Sequence, residues 1–153
     1  MSLTYKLGHF MAFRPTNGDR FRFQNFFIGE SVVWETFEHQ FAPFGFAGST
    51  ASRQGDNVES QLVFPNNAIS RAVVLAAVEG RWPVRVHTVQ IDEADNISLL
   101  NRYVGQVASG AWDETAVALK LNSAIDAVTN SLPRRSLNEQ LVGSLPITSR
   151  VSV

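Results

Sequence analysis

Histidine is the side chain best suited to acid–base chemistry and metal binding near neutral pH, and the chain has three of them. His9, His39 and His87 lie in separate segments, and none has a second histidine four residues away with a carboxylate nearby. That spacing is the one by which a helix places two imidazoles on one metal ion. The histidines therefore predict no metal site.

Nucleophilic catalysis has equally little support in the sequence. The chain has no cysteine, which excludes a thiol nucleophile, an iron–sulfur cluster, a cysteine zinc site and a disulfide framework. The Gly-x-Ser-x-Gly elbow of serine hydrolases is absent, and Ser60 and Ser70 stand in no context typical of a nucleophile. A catalytic triad that is assembled only in three dimensions stays open.

Two further segments resemble ligand-binding loops in part. Residues 44–48 contain two glycines but lack the lysine and the serine or threonine that cradle phosphates, which favours a flexible or gating loop. Residues 92–96 begin like a calcium loop, but Ile97 and Tyr103 stand where glycine and glutamate are needed, so a solvated turn is expected. We therefore expect neither a metal nor a cofactor.

Phenylalanine occurs 11 times in the chain. Residues 21–27 hold four of these around an arginine, a composition that can fill a small β core, form a protein interface or stack single-stranded bases. The core is favoured, because a net charge of −1 gives nucleic acid no electrostatic support. The aromatic residues predicted to contribute to an interface are Phe26, Phe27, Phe44 and Phe46.

The elements that must position these side chains belong to one domain of ordinary size. The chain has 153 residues, of which 44% are apolar and 18% charged, enough for a buried core and incompatible with general disorder. Residues 30–60 and 92–126 are acidic, and the segments around them are basic. Such blocks favour solvated faces, with a self-association surface as the alternative.

Alternating apolar residues predict strands in the first third of the chain. Residues 10–13 and 21–23 flank a turn and predict a hairpin, and residues 32–39 predict a third strand. A loop is expected over 43–55 because it is rich in Gly, Ser and Pro. A further strand is predicted over 58–64.

One segment has helical periodicity. Asn67 is a suitable N-cap, residues 67–79 carry a wide apolar stripe and Gly80 is a suitable stop, so a helix packed on more than one side is predicted. Residues 84–91 alternate almost perfectly and predict the clearest strand.

Two more strands are predicted after that one. Residues 101–108 and 115–122 flank a short link and predict an antiparallel hairpin. A short helical or irregular piece is expected at 97–100, and a short helix over 123–130 that ends before Pro133.

These elements predict a β-rich α+β domain, a compact sandwich or partial barrel of six or seven strands with the central helix at one open end. We assign residues 1–133 to this domain and residues 134–153 to a C-terminal extension, expected to be an interaction arm. The N-terminus shows no charged segment followed by an apolar run, and the longest apolar run, residues 72–78, is far too short for a bilayer. We therefore expect no signal peptide and no membrane span.

Parts of the sequence resemble a family of bacteriophage tail-tip proteins, the minor tail protein L and its baseplate-hub relatives, including the hub of gene-transfer agents. The resemblance covers about residues 30–145, and its most specific element is Leu132-Pro133-Arg134-Arg135. The segments that carry it are residues 37–46, 84–92, 103–107 leading to 119–123, and 131–138.

The resemblance implies a structural, non-enzymatic subunit of the virion tail that is assembled in the host cytoplasm. Such a subunit forms a ring between the tail tube and the central spike or fibre apparatus. Its partners are other tail-tip or baseplate proteins and copies of itself, with a trimer favoured over a hexamer, and no membrane or specific nucleic acid. Relatives carry cysteines after the Arg-Arg segment, whereas this chain reads Leu141-Val142-Gly143-Ser144-Leu145, so a cluster-binding module is not expected here.

Two other function classes stay open. One is a tail-associated hydrolase that acts on the cell envelope, although no pair of carboxylates stands out for glycoside cleavage. The other is a carbohydrate-binding module that uses Trp34, Trp82 and Trp112, for which positions in the core or at its rim are favoured. Either protein can be a stable monomer, whereas a ring subunit self-associates.

The C-terminal arm carries the second part of the predicted interface. Its apolar residues follow no clean period, so the arm cannot bury them alone, and we expect it to dock on a neighbouring subunit. Its arginines would face an acidic block at 30–59 or 92–126, and its apolar residues a groove or a sheet edge. A frayed terminus or a last strand of the same domain is the alternative. The residues assigned to this interface are Arg134, Arg135, Leu137, Leu141, Leu145 and Ile147.

Overall fold

A computed structural model describes residues 5–47 and 60–123 of the chain. Within these residues nine strands form one sheet, and one helix packs against it. The helix, α1, spans Ala68–Gly80. In chain order the strands are β1 (Lys6–Phe13), β2 (Phe21–Gln24), β3 (Ser31–Trp34), β4 (Phe37–Phe41), β5 (Gly45–Ala47), β6 (Ser60–Pro65), β7 (Pro83–Ile91), β8 (Ile97–Trp112) and β9 (Ala116–Ser123).

The sheet is mixed and open. Its strand order is β3-β4-β2-β1-β7-β8-β9-β6-β5, so β3 and β5 are its two edges in the described part of the chain. All neighbours are antiparallel except β2 and β4, which are parallel. The prediction of a β-rich α+β fold with one helix is confirmed. The prediction of six or seven strands is wrong, because the described residues alone contain nine, and all of these belong to one sheet.

One of the two additional strands comes from a segment that was predicted as a single strand. The predicted strand over 32–39 is the β3–β4 hairpin, in which Trp34 pairs with Phe37 across a two-residue turn. Glu35 and Thr36 form this turn with φ values of 49° and 70°. Left-handed turn positions usually hold glycine or asparagine, so the sequence carries no signal for the turn.

Two other strand assignments need correction. The loop expected over 43–55 contains β5, which pairs with β6 through Phe46 and Leu62. The helical or irregular piece expected at 97–100 is the first part of β8, paired with β7. By contrast, the β1–β2 and β8–β9 pairings confirm the two predicted hairpins.

The helix begins where predicted and ends for a different reason. The Asn67 side chain accepts a hydrogen bond from the Ser70 amide at 2.8 Å, as an N-cap does. Gly80 is the last helical residue, and Arg81 takes the left-handed conformation with φ 46°. A Cβ on Gly80 would lie 2.4 Å from Nε1 of Trp82, so the glycine is required by the approach of the indole ring.

Among the described residues the helix packs on one side, which is narrower than the predicted packing on more than one side. Val74 and Ala77 are its buried residues, whereas Ile69 is 77% exposed and Leu75 is 47% exposed. The buried side faces β8, where the space beside Gly110 is filled by Val74 and Val78. The helix therefore covers one face of the sheet instead of an open end.

The core has two parts, on opposite faces of the sheet. Successive residues of a strand point to opposite faces, and on β1 Met11 belongs to the larger cluster while Phe10 belongs to the smaller one. We call the two faces the helix face, which α1 covers, and the hairpin face, on which Phe10 lies. The fully or nearly fully buried residues of the helix face include Met11, Phe13, Leu62, Val86, Val117 and Leu119. Those of the hairpin face are Phe10, Val89 and Ile91.

No helix in the described residues is long and apolar enough to cross a membrane. The predicted interaction arm, residues 134–153, lies outside the described residues, as does the predicted helix beyond Ser123.

Candidate functional site

The β3–β4 hairpin folds across the hairpin face of the sheet. The Trp34 indole stacks on the Phe10 ring, with ring centroids 5.0 Å apart and an interplanar angle of 10°. Its Nε1 donates a hydrogen bond to Nδ1 of His87 at 2.9 Å. Next to it in the turn, Glu35 accepts a hydrogen bond from Arg102 on β8 at 2.6 Å. Since β2, β1 and β7 separate β4 from β8, this half of the sheet must curl to bring these residues together.

The curl encloses a cavity of about 250 Å³. Its floor is built by strand register, because Ala12, Arg85 and Val104 are paired neighbours on β1, β7 and β8. Its other side comes from the hairpin and the chain between β1 and β2. The remaining polar and aromatic residues that line it are Phe13, Arg14, Arg20, Arg22, Trp34, Glu35, Phe37, His39 and His87. We call this space the arginine cavity.

The arginine cavity concentrates positive charge in a chain whose net charge is −1. Four arginines line it, and Glu35 is the one acid among the lining residues. The Glu35 carboxylate is already engaged by Arg102, and its other oxygen lies 4.0 Å from His87 Nδ1. The cavity therefore has unbalanced guanidinium groups on its wall.

Two of the three histidines that the sequence analysis considered for acid–base chemistry, His39 and His87, line this cavity. Burial lowers the pKa of both imidazoles, and the nearby Glu35 carboxylate opposes that shift only in part. Both side chains are therefore neutral at pH 7. Because the indole N–H of Trp34 points at Nδ1 of His87, the hydrogen of that neutral ring sits on Nε2.

The third histidine lies elsewhere, on the helix face. His9 Nδ1 is 3.2 Å from the Asn25 side-chain nitrogen, and its ring lies edge-on to Phe46 with centroids 5.8 Å apart. Burial lowers its pKa as well. Across residues 5–47 and 60–123, no three His, Asp or Glu side chains come together in a way that could hold a metal ion.

Two of the predicted interface residues, Phe26 and Phe44, line one open groove of about 510 Å³. We call it the Ile28 groove, because Ile28 stands at its rim and is 82% exposed. Phe44 itself is 7% exposed, and its carbonyl accepts a hydrogen bond from the Asn25 side chain. The other apolar residues that line the groove are Phe41, Pro43, Val63, Phe64, Pro65 and Ala116.

The other two predicted interface phenylalanines do not line this groove. Phe27 contacts the Phe26 ring at a centroid distance of 4.9 Å, and Phe46 contacts Tyr103 at 5.4 Å. Phe26 packs closely on Gly8, where a Cβ would lie 2.4 Å from its ring. All of these aromatic side chains thus take part in packing within the chain, and their role in an interface stays a prediction.

A buried glutamine that the sequence did not single out shapes the rim of the Ile28 groove. Gln24 is fully buried, and its Oε1 accepts hydrogen bonds at 2.8 Å from the amides of both Phe26 and Phe27. Its Nε2 donates to the carbonyls of Phe27 and Glu30. One side chain therefore fixes the loop that presents Ile28, and no local sequence pattern marks a glutamine for that role.

The three tryptophans do not form one surface. Trp34 stacks on Phe10 on the hairpin face, whereas Trp82 contacts Phe13, which points to the helix face. Trp112 is 54% exposed at the end of β8. The structure therefore separates the residues that a carbohydrate-binding module would have to align.

The acidic segment over 92–96 is a solvated turn, as predicted. The Asp92 carboxylate accepts hydrogen bonds from the side chain of Asn96 and from the backbone amides of Asn96 and Ala94, and these bonds lower the pKa of Asp92.

No known protein-family model matches the sequence, and no curated protein matches it either.

Proposed function

We propose that the chain is a structural subunit of a tailed-phage tail tip or baseplate, a ring-forming hub or adaptor between the tail tube and the spike or fibre apparatus. The resemblance over residues 30–145 suggests this role, and the Ile28 groove is the observation that carries it. A branched apolar side chain that is 82% exposed, beside an apolar groove, is typical of a protein interface.

An open sheet edge adjoins the groove. Strand β3 is the edge that starts three residues after Ile28, and its Val33 is 69% exposed. An unpaired edge with an exposed apolar side chain is a template for strand addition by another chain. The groove and the edge together offer a continuous surface for a neighbouring subunit.

The acidic residues beside this edge match the basic arm. Glu30 precedes β3, and Glu38 stands opposite Val33 on β4; both are exposed. We expect Arg134 and Arg135 of a neighbouring copy to face these carboxylates while the apolar residues of its arm enter the groove or extend the edge. This places the arm against the first of the two acidic blocks.

The oligomeric state of the full chain tests the proposal. Native mass spectrometry and sedimentation should show three copies, or six, and negative-stain images should show rings. Ile28→Asp should weaken the self-association by about tenfold or more, since it buries a charge in the groove. Ile69→Asp, at an isoleucine on α1 that is 77% exposed, is the matched control and should leave the assembly unchanged.

A chain that stays monomeric at all concentrations tested, or equal effects of the two aspartate substitutions, would overturn the assembly model. A truncation after Asn138 tests whether the arm is needed for assembly. The shortened chain should keep the circular dichroism spectrum of the full chain but should no longer form rings. Normal rings after truncation would exclude docking through residues 139–153. Mass spectrometry of virions then tests the location, because the chain should be found in purified tails.

A further inference from the structure

The arginine cavity is a site that the proposed assembly does not explain. Arg14, Arg20 and Arg85 line it and are exposed, and their guanidinium groups make no hydrogen bond or ion pair with any residue in the described part of the chain. Arg22, the fourth, lies over the Phe37 ring, with its guanidinium carbon 4.1 Å from the ring centroid. Four like charges at one cavity repel each other, and an anion between them would remove that repulsion.

A buried donor in the same cavity points to the same kind of ligand. Nε2 of His87 carries the hydrogen of the neutral ring, because Nδ1 accepts the bond from Trp34. This Nε2 is buried and has no acceptor among the described residues. His87 as a whole is 5% exposed. A buried N–H without an acceptor is uncommon in folded proteins. Since Nε2 itself is not accessible from the cavity, this unsatisfied donor marks the cavity wall as polar, and the arginines supply the groups that contact an anion.

The shape of the site is held by its own contacts. Glu35 and Thr36, which close the hairpin over the cavity, both adopt the left-handed conformation that residues other than glycine seldom take. The ion pair from Glu35 to Arg102 and the bond from Trp34 to His87 hold this turn against the sheet. Strained residues that are fixed in this way are commonly found at ligand-binding sites.

We propose that the arginine cavity binds a phosphate group carried by a small organic molecule. A guanidinium group can donate two parallel hydrogen bonds to two oxygens of one phosphate. Several guanidinium groups together can balance the double negative charge of a phosphomonoester. Trp34 and Phe37 also line the cavity and give it an apolar part for a small organic substituent. A volume of about 250 Å³ falls below the range of about 300–1,000 Å³ of drug-sized ligands, so the substituent is small. This proposal does not depend on the proposed function.

Calorimetric titration of the full chain tests the site, with inorganic phosphate and phenyl phosphate as ligands and with benzoate as the carboxylate probe at matched ionic strength. Phosphate and phenyl phosphate should bind, and benzoate should bind more weakly. Arg85→Gln should weaken phosphate binding by about tenfold or more, as expected for one charge-assisted hydrogen bond. Arg71→Gln, which removes the same charge from α1, should stay within about twofold of the unmodified chain.

A measurement on the unmodified chain keeps the test decisive if a variant fails to fold. The Nε2 signal of His87 in a nitrogen-15 spectrum should shift on phosphate addition, while the signal of His9 should not. No shift at saturating phosphate, equal losses in the two arginine variants, or tighter binding of benzoate than of phenyl phosphate would each overturn the proposal.

Discussion

The helix face and the hairpin face of the sheet bury different kinds of side chain. On the helix face, strands β6 to β9 and α1 enclose aliphatic and aromatic residues such as Leu62 and Leu119. On the hairpin face, the apolar cluster is small and borders a cavity lined by arginines and two histidines. The helix face is thus stabilised mainly by apolar burial, whereas the hairpin face depends on a few specific polar contacts, and its geometry is therefore more easily disturbed by one substitution.

The largest loss of stability is expected on the helix face. Leu119→Ala removes a fully buried side chain and leaves a cavity, so the free energy of unfolding should fall by about 2–5 kcal/mol. Urea titration followed by circular dichroism measures this. Leu75→Ala on the outer side of α1, where the leucine is 47% exposed, should cost much less. Similar losses for the two variants would contradict the assignment of the helix face as the main core.

On the hairpin face, a single hydrogen bond between Trp34 and His87 should contribute measurably to the free energy of unfolding. Trp34→Phe keeps an aromatic ring for Phe10 but removes the donor to His87 Nδ1. Leaving that buried nitrogen without its donor should lower the free energy of unfolding by about 1–3 kcal/mol. Trp112→Phe, at a tryptophan that is 54% exposed, should stay within about 0.5 kcal/mol. An unchanged stability for Trp34→Phe would show that the hydrogen bond to His87 does not stabilise the hairpin.

The two faces should also respond to acid. Burial lowers the pKa values of His39 and His87, and of His9 on the helix face, below the ordinary value of 6.5. Each histidine is therefore more easily protonated in the unfolded chain than in the folded one. The contribution of the neutral rings to the free energy of unfolding is complete above about pH 6.5, and it is lost as the pH falls from there through the lowered pKa values.

Urea titrations between about pH 5 and 8 follow this effect in the window in which histidine titrates. Asp92 and Asp113 do not interfere, since their pKa values are lowered from 3.8 and lie outside this window. His87→Gln should flatten the pH dependence through the hairpin face, and His9→Gln through the helix face. Stability that rises on acidification would contradict the burial of these rings.

The smallest expected change is a gain. Thr36→Gly removes the left-handed strain of a β-branched residue in the β3–β4 turn, which should raise the free energy of unfolding by about 1 kcal/mol. Thr36→Ala keeps the strain and serves as the control. Arg81→Gly at the end of α1 should bring a comparable gain on the helix face. Equal stability of the glycine and alanine variants at position 36 would show that the turn is not strained.

Sequence patterns predicted the helix and the central strands better than the β3–β4 hairpin, for physical reasons. The strand over 84–91 and the helix after Asn67 have periodic apolar residues and, for the helix, a capping residue, so local signals agree with the structure. The turn at Glu35 and Thr36 consists of residues that do not favour its left-handed conformation. The sequence therefore predicts one strand where the structure has the β3–β4 hairpin. Local propensity fails where tertiary contacts impose the backbone conformation.

The arginine cavity had no sequence signal at all. Its floor depends on the register that places Ala12, Arg85 and Val104 side by side on three strands. Arg14 and Arg20 join them only because the chain after β1 turns back beside that floor. Isolated arginines in a nearly neutral chain suggest solvated positions, and only the pairing of distant strands shows that they converge.

The pairing of β1 with β7 has a consequence for the rate of folding. These strands are the centre of the sheet, yet they are separated by most of the described chain, including β2 to β6 and α1. Closing so long a loop before any contact forms is slow, so refolding on a scale of milliseconds to seconds is expected. Until β7 pairs with it, β1 is an incompletely paired edge strand that exposes Phe10, Met11 and Phe13. The refolding yield should therefore fall as the protein concentration rises, because two partly folded chains can pair with each other through β1.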